Sequence, residues 1–600
     1  MRQKFALTKF HEKTAENLSS EHSQRVDPGQ GKQVVVPADL PDDYYLINFR
    51  QLLDVVVATY GDLLNYEELA FASDFAELGD AAAKLYVRLL CRTPENFRID
   101  KLSYPELGDL YELAAQLAGK GFLLIDPELA LEDYLALFTK PELVEQILSH
   151  PANDLSKTAV AKLKREALIE LYESTVANVD VSVEPKVKGT TEEPEWQYKV
   201  DVLQTCREPV FAVYKLCFFG NLYQDMTEFV LRDIGYAQYE NYQLDEHSRA
   251  FNNREQLEAH IEYFELLSSR AEISELSVEE LLLFEKQLPI PVDSNLERRV
   301  HRLRNSIARQ LERLQQWDRA IKIYARSQRP PARERRVRVL LKQDKLQEAF
   351  STCYEILDSP VNDEENQVVS GIAQRIARKL GQSFENRWEY TPPTETIEID
   401  NSGDLVELQV ATYMQQFGEC FYVENMLFDA VFGLAFWDVI FAPIEGVFFN
   451  PFQSAPADFY DSQFKLRRTE LLQQKFADLL IDGSLQREVF KQFDSKGGLQ
   501  NPMVNWHYLD RRLLETAMSR IPLNNWLAIF RRLLSDTRLH RNGLPDLILF
   551  PHDRELEPYK LVEVKGPGDS IQKNQIRWMR FFADQGIPHQ LCHVRWRDPS

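Results

Sequence analysis

The stretch GLPDLILFPHDRELEPYKLVEVKGPGDSIQKNQIRWMRFF, residues 543–582, decides the fold of the C-terminal part of this chain. Leu547 to Phe550 is an apolar run of strand length, PHDRELEP is a polar turn, and Lys560 to Lys565 alternates in character. Side chains alternate across a strand, so Val562 and Val564 share one face while Glu563 and Lys565 share the other. Asp546 follows a proline and therefore takes extended backbone at the start of the first strand. Two neighbouring strands then carry Asp546, Glu563 and Lys565 on one surface. Gly566 and Gly568 permit a tight turn into the helix IQKNQIRWMRFFADQG, with Gln575 on its first turns, near the strand ends.

Each of these residue types suits phosphodiester hydrolysis. Hard divalent cations such as Mg²⁺ and Mn²⁺ prefer oxygen ligands, which Asp546 and Glu563 supply and to which the Val564 carbonyl adds a third. A metal so held polarises a phosphoryl oxygen and acidifies a bound water. Lys565, two residues from Glu563 on the same face, is placed to orient that water and to stabilise developing charge. A single charged residue on a strand is usually a solvated one. The combination of Pro-Asp, a strand–turn–strand spacer, Glu-x-Lys and a glycine-containing helix start is far more specific.

Composition bounds the rest. The 600 residues hold 70 Lys+Arg against 93 Asp+Glu, so the net charge is 70 − 93 = −23. That excludes a protein that coats nucleic acid indiscriminately, since such binding is driven by neutralising phosphates. It leaves room for a nuclease that is basic only along its DNA path. Hydrophobic residues make up 44% and charged residues 27%, a core-forming composition. The six cysteines are scattered with no CxxC pair, which predicts neither a zinc ribbon nor a disulfide scaffold and points to a reducing, intracellular compartment. His589, Cys592 and His593 lie close together, but in a strand Cys592 points away from the two histidines and no fourth ligand is near, so zinc is not expected. The N-terminus has no signal-peptide core, and the richest apolar run, MLFDAVFGLAFWDVIF (426–441), is interrupted by Asp429 and Asp438 and reads as a buried helix.

Along the chain, residues 1–40 are polar and pattern-poor and read as a flexible leader. Apolar residues three and four apart predict helices from about 44 to 175, as in LINFRQLLDVVVATYGDLL and AAAKLYVRLLCR. Residues 141–172 read as two short helices joined by SHPANDLSKT, and 176–200 as a linker. Helix returns over 201–300. From 300 to 380 the chain looks like stacked helical hairpins, because WDRAIKIY (317–324) and LQEAFSTCY (346–354) share an apolar–x–x–Ala–apolar core at a spacing of 29, similar to tetratricopeptide (TPR) repeats. EYTPPTETIEIDNSGD (389–404) marks a further boundary. The expected architecture is multidomain: mostly α-helical N-terminal and middle domains, then a C-terminal α/β domain.

Asp546, Glu563 and Lys565 in their setting resemble the PD-(D/E)XK nuclease superfamily and its restriction-endonuclease-like fold. More narrowly, GLPDLILF followed by LVEVKGPGDSIQKNQ looks like the virus-type replication-repair nuclease (VRR-NUC) domain. FYVENMLFDAVFGLAFWDVIF (421–441) is similar to the helix that supplies an additional metal-binding glutamate in Fanconi-associated nucleases, which implies that Glu424 is a ligand. AAAKLYVRLLCR followed by KLSYPELGDL resembles the N-terminal DNA-binding region of that family, which includes a SAP-type element. The helix pair at 141–172 would be that element, and the hairpins at 300–380 the TPR-like middle. The resemblance spans most of residues 45–600 and implies a leader at 1–40, a DNA-binding region at 41–200, a TPR-like region at 201–390 and a VRR-NUC domain at 391–600. The ubiquitin-binding zinc finger and long N-terminus of animal members have no counterpart here, as expected for a compact bacterial-type member.

Basic residues cluster at Arg298–Arg304 and again at Arg329, Arg333, Arg335, Arg336, Arg338 and Lys342. In an acidic chain such islands are candidates for phosphate contact. Acidic neighbours such as Glu297 and Glu334 equally allow ordinary solvated helix faces. Lys84, Tyr86, Arg88 and Arg92 combine charge with an aromatic and suit a duplex surface. Family members hold a 5′ phosphate in a basic pocket, for which Arg538 is the best match. Asn574 stands where a lysine would be expected, with Lys573 beside it as a substitute.

The expected function is a structure-specific DNA phosphodiesterase acting in repair, with 5′-flap endonuclease and 5′→3′ exonuclease activity. It would use Mg²⁺ or Mn²⁺ on Glu424, Asp546, Glu563 and Val564, with Lys565 and Gln575 assisting. Its substrate would be branched or flapped duplex DNA, bound by a cytoplasmic monomer that meets the nucleoid and no membrane. The alternatives are a nuclease of other polarity, such as a resolvase, and a non-catalytic DNA-junction scaffold. Two carboxylates facing a phosphate have no purpose in a pure binder.

Overall fold

The computed structural model describes residues 43–92, 95–149, 155–177, 201–224, 238–270, 272–553 and 557–597. The leader expected at 1–40 and all but the first two residues of the linker expected at 176–200 lie outside them. The chain divides into two compact units, Leu18–Ile234 and one containing Gly235–Ser600.

The first unit begins with α1 (Tyr44–Tyr60), α2 (Tyr66–Ala76) and α3 (Asp80–Leu90). Asn65 and Glu68 form a reciprocal capping box that starts α2. β1 (Asn96–Arg98), α4 (Leu110–Gly119), β2 (Leu123–Ile125) and β3 (Val202–Thr205) follow, with β3 central in an antiparallel sheet of order β1-β3-β2. α5 (Glu208–Phe219) packs back on the opening helices: Phe211 stacks on Phe49, and the Tyr214 hydroxyl donates to the Glu68 carbonyl at 2.7 Å. The domain boundary expected at 200 is therefore displaced to Ile234, because the strand immediately after it completes this sheet. Residues 141–172 hold parts of three helices, Lys140–Ser149, Lys157–Lys162 and Arg165–Ala177, where two were expected.

The second unit contains the helical hairpins. α6 (Ser294–Arg313) turns into α7 (Trp317–Tyr324), and α8 (Ala332–Lys342) into α9 (Leu346–Asp358). The two turns are the same turn, repeated. Gln315 and Asp344 both take left-handed backbone at φ +59°, and the next amide in each reaches back to a helix carbonyl, Gln316 to Leu311 and Lys345 to Leu340. Ala320 and Ala349 are fully buried, as close helix approach requires. The spacing of 29 read in the sequence is thus a true structural period. α10 (Asp363–Leu380), capped by the Asn362 side chain, follows the second hairpin.

The C-terminal sheet has the order β4-β8-β7-β6-β5, built from Thr394–Ile399, His589–Trp596, Lys560–Lys565, Leu547–Pro551 and Gly418–Tyr422. The β4–β8 and β8–β7 pairs are parallel, and the β7–β6 and β6–β5 pairs are antiparallel. Strand alternation sorts its side chains into two cores. Leu547, Leu549, Val562 and Val564 pack with α11 (Val406–Met414). Ile548, Phe550 and Leu561 pack with α12 (Met426–Ala435), α13 (Leu523–Ser535) and α14 (Lys573–Gln585). The apolar run 426–441 forms α12 and a short helix at Trp437–Ile440, buried from Leu427 onward except at Asp438. Among the described residues no helix is long and apolar enough to cross a membrane.

Candidate active site

β7 runs three residues beyond its ladder with β6, which ends at the pair of Leu547 with Val562. The Val564 amide, left without a strand partner on that side, donates to Asp546 Oδ2 at 2.8 Å. Glu563 and Lys565 point to the α14 side of the sheet, as their alternation predicts. Lys565 Nζ donates to Glu563 Oε1 at 2.5 Å, and Gln575 Nε2 donates to the same oxygen. Gln575 Oε1 meanwhile accepts the Gln572 amide and so caps α14. One side chain thereby ties the helix start to the carboxylate. The second oxygen, Glu563 Oε2, is buried and has no donor.

Electrostatics match that geometry. Glu563 is fully buried. Burial, then the Asp546 charge, pushes its carboxyl up to about 8 against the pull of Lys565. Burial likewise raises Asp546 to about 6, against the Val564 amide and Lys565. Two carboxyls held this close, with an oxygen open between them, fit a divalent cation.

Glu424 lies near this pair but at another level. It is not on the helix expected to supply it. β5 ends at Tyr422, and Glu424 sits in the turn before α12 at φ +39°, a backbone that non-glycine residues seldom take. The amides of Val423 and Glu424 both donate to the Asp546 carbonyl, at 2.8 and 2.9 Å, and hold that turn in place. Its charge reaches Asp546. Yet among the described residues no three His, Cys, Asp or Glu side chains converge as one metal cage. The structure brings Asp546, Glu563, Lys565 and Gln575 into one cluster and leaves Glu424 at its edge. Glu407, on the first turn of α11, was missed in the sequence, although its carboxylate adds to the field that raises Asp546. An acid in a first turn is read by default as a partner of the helix dipole.

The expected DNA-binding residues divide. Tyr86 is fully buried against Phe71, Phe75 and Phe122, and its hydroxyl donates to the Cys206 carbonyl at 3.0 Å. It is a core residue and cannot touch DNA; the basic stripe of α3 runs through Lys84 and Arg88 at helical spacing, away from it. Arg88 pairs with Glu106 and stacks on Tyr45 and Tyr104, while exposed Arg92 stacks on Tyr104. Arg335 is spent on buried Glu312. Arg336 faces a groove lined also by Arg333, Thr352 and Ser359, and its Nε has no partner. Arg538 and Lys573 are exposed. Near the C-terminus, His589 bonds Tyr390 and the Ile587 carbonyl through its two ring nitrogens, and Cys592 faces the opposite core.

The comparisons with known proteins agree with this geometry. Residues 481–596 match the model of the VRR-NUC domain, and residues 43–124 match that of the FAN1 HTH domain. The N-terminal match is to a helix-turn-helix, a motif the sequence reading did not identify. A Fanconi-associated nuclease 1 homolog from Pseudomonas aeruginosa is 34% identical over 568 residues, covering 92% of this chain and 96% of that protein. A homolog from Schizosaccharomyces pombe is 22% identical and covers 92% and 91%. The crystal structure of paFAN1 bound to 5′-flap DNA with a two-nucleotide flap and a gap superposes with a TM-score of 0.77 at 33% identity, covering 94% of this chain and all of that one. With that identity over nearly its whole length, and with Asp546, Glu563 and Lys565 assembled on the sheet, the chain belongs to the Fanconi-associated nuclease family, the divalent-metal-dependent, structure-specific DNA nucleases of repair.

Proposed function

We propose that the chain cuts 5′-flapped duplex DNA endonucleolytically, trims it 5′→3′, and acts on interstrand crosslinks as a monomer at the bacterial nucleoid. The observation that carries this reading is the Asp546–Glu563 pair, in which donors occupy one oxygen of each carboxylate and Glu563 Oε2 stays open. The flap preference rests on the likeness to paFAN1 with its 5′-flap DNA.

In this mechanism Asp546, Glu563 and the Val564 carbonyl would hold Mg²⁺ or Mn²⁺, with Glu424 as a further ligand. Held there, the ion would supply Lewis-acid chemistry, polarisation of the scissile phosphate and acidification of the attacking water. The Val564 amide fixes the Asp546 rotamer. Gln575 and Lys565 fix Glu563 Oε1 and turn Oε2 toward the site. Lys565, almost fully buried, also sets a positive charge where the pentavalent phosphorane becomes most negative. Arg538 and Lys573 receive a terminal phosphate. Arg88 and Arg92 in the N-terminal DNA-binding region, and Arg336 in the TPR-like hairpins, each contact duplex phosphates, and the two regions select a branched substrate.

The test is cleavage of a 5′-flap duplex in Mg²⁺ or Mn²⁺ by the wild type and by Asp546→Ala. Cutting near the junction by the wild type, with undiminished binding and at least about a thousandfold slower cutting by the variant, supports the reading. Absence of cleavage on 5′ flaps by both proteins overturns it, and preferred cutting of 3′ flaps or four-way junctions overturns the polarity.

A further inference from the structure

Tyr422, the last residue of β5, has a place at the site that no step above uses. Its hydroxyl donates to Glu424 Oε2 at 2.8 Å. Its ring packs at the edge of the core on the α11 side of the sheet, and its phenol meets the carboxylate of the residue two positions on. In register it faces Leu547, the residue after Asp546. The Glu424 main chain is already pinned, by its amide and that of Val423 on the Asp546 carbonyl. What the main chain leaves to be fixed in Glu424 is the side chain, and at its other oxygen, among the described residues, Asn425 Nδ2 stands off at 3.5 Å from Oε1. A hydroxyl bond at 2.8 Å is of normal strength, while one at 3.5 Å is marginal.

The carboxylates of the site follow one pattern. Asp546 has Oδ2 held by an amide, and Glu563 has Oε1 held by Lys565 and Gln575. Glu424 has Oε2 held by Tyr422. Each keeps a second oxygen for a cation. Outer groups that orient ligands in this way are worth an order of magnitude or more in metal affinity.

We propose that Tyr422 is a positioning residue for metal binding: its phenol holds Glu424 Oε2 and so presents Oε1 to the divalent ion. This rests on Glu424 being a ligand. The neutral hydroxyl also lets Glu424 stand beside Asp546 and Glu407 without adding a fourth negative charge, which a carboxylate in its place would do.

The experiment is calorimetric titration of the full chain with Mn²⁺, in the absence of DNA, for the wild type, Tyr422→Phe and Glu424→Gln. Tyr422→Phe removes one oxygen and leaves the ring packing. The expected result is Mn²⁺ binding weaker by about tenfold, an unchanged melting temperature in chelator, unchanged flap-DNA affinity in Ca²⁺, and cleavage that recovers at high Mn²⁺. Glu424→Gln should weaken Mn²⁺ binding more. If Glu424→Gln weakens binding and Tyr422→Phe does not, the positioning role is wrong while the ligand assignment stands. If neither variant changes Mn²⁺ affinity, Glu424 is not a ligand and both fall. Weaker binding that comes with a lowered melting temperature in chelator assigns the loss to folding and overturns the positioning role.

Discussion

At the scale of single residues, the site is a place where stability has been exchanged for chemistry. Asp546 and Glu563 bind their protons more tightly in the folded chain than they would unfolded, with carboxyls raised to about 6 and about 8. Their contribution to folding is complete below the unfolded carboxylate values of about 4 and is lost as pH rises through those raised values. The metal-free protein should therefore weaken between about pH 4 and pH 8, and a divalent cation should restore most at the alkaline end. Glu563→Gln keeps an acceptor for Lys565 and Gln575 and removes the charge, with Asp546 left to neutralise Lys565. Melted in chelator at pH 8, this variant should be more stable than the wild type by a few degrees, and it should not cut DNA. An equal or lower melting temperature would show that the two carboxylates are not in mutual repulsion. Of these residues, Asp546, Glu563 and Lys565 were legible in the sequence because a strand fixes faces with a period of two. The Tyr422–Glu424 bond was not, since it depends on a left-handed turn that no local pattern announces.

At the scale of elements, the strands from Leu547 to Lys565 could be read directly, because apolar alternation and a polar turn agree. β5 could not. Its GECFY leads into the most apolar helix among the described residues, and 421–441 reads as one helical segment until β6 pairs with it. β1, β2 and β3 are three or four residues long, too short for periodicity to speak, and β3 finds its partners only through contacts distant in sequence. The pairing of β5 has one sharp steric requirement. A Cβ on Gly418 would lie 2.2 Å from the Phe550 carbonyl oxygen and 2.7 Å from Pro551 Cα, both backbone atoms. Gly418→Ala must move one strand against the other, at a cost of about 1–3 kcal/mol. Because the same strand delivers Tyr422 and Glu424, the variant should lose Mn²⁺ affinity as well as thermal stability. A variant with wild-type stability would mean that β5 pairs with β6 less closely than this register requires.

At the scale of the whole molecule, an acidic chain with a net charge of −23 must keep its DNA path to a few basic places. Charge clusters in the sequence located candidates without telling apart those already committed. Arg335 and Arg336 look equivalent as letters, yet Arg335 pairs with buried Glu312, while Arg336 opens on a groove with its Nε unpartnered. The 29-residue period was legible because it repeats, whereas the angular step of about 100° between consecutive helix residues sends these two arginines to different partners. Their contributions separate by salt. Each phosphate neutralised steepens the fall of log K with log salt by about 0.9. Arg336→Ala should weaken flap binding uniformly across sequences and reduce that slope by about 1, with stability unchanged. Arg335→Ala leaves buried Glu312 with Arg309 and the Tyr324 hydroxyl as partners, one cation in place of two, so it should cost about 2–4 kcal/mol of stability and leave the salt slope as it was. Binding isotherms from 50 to 200 mM salt, beside thermal melts of the same samples, test both at once. A slope changed by Arg335→Ala and not by Arg336→Ala would put the duplex on the opposite side of that helix, and no change from either would take the hairpins out of the DNA path.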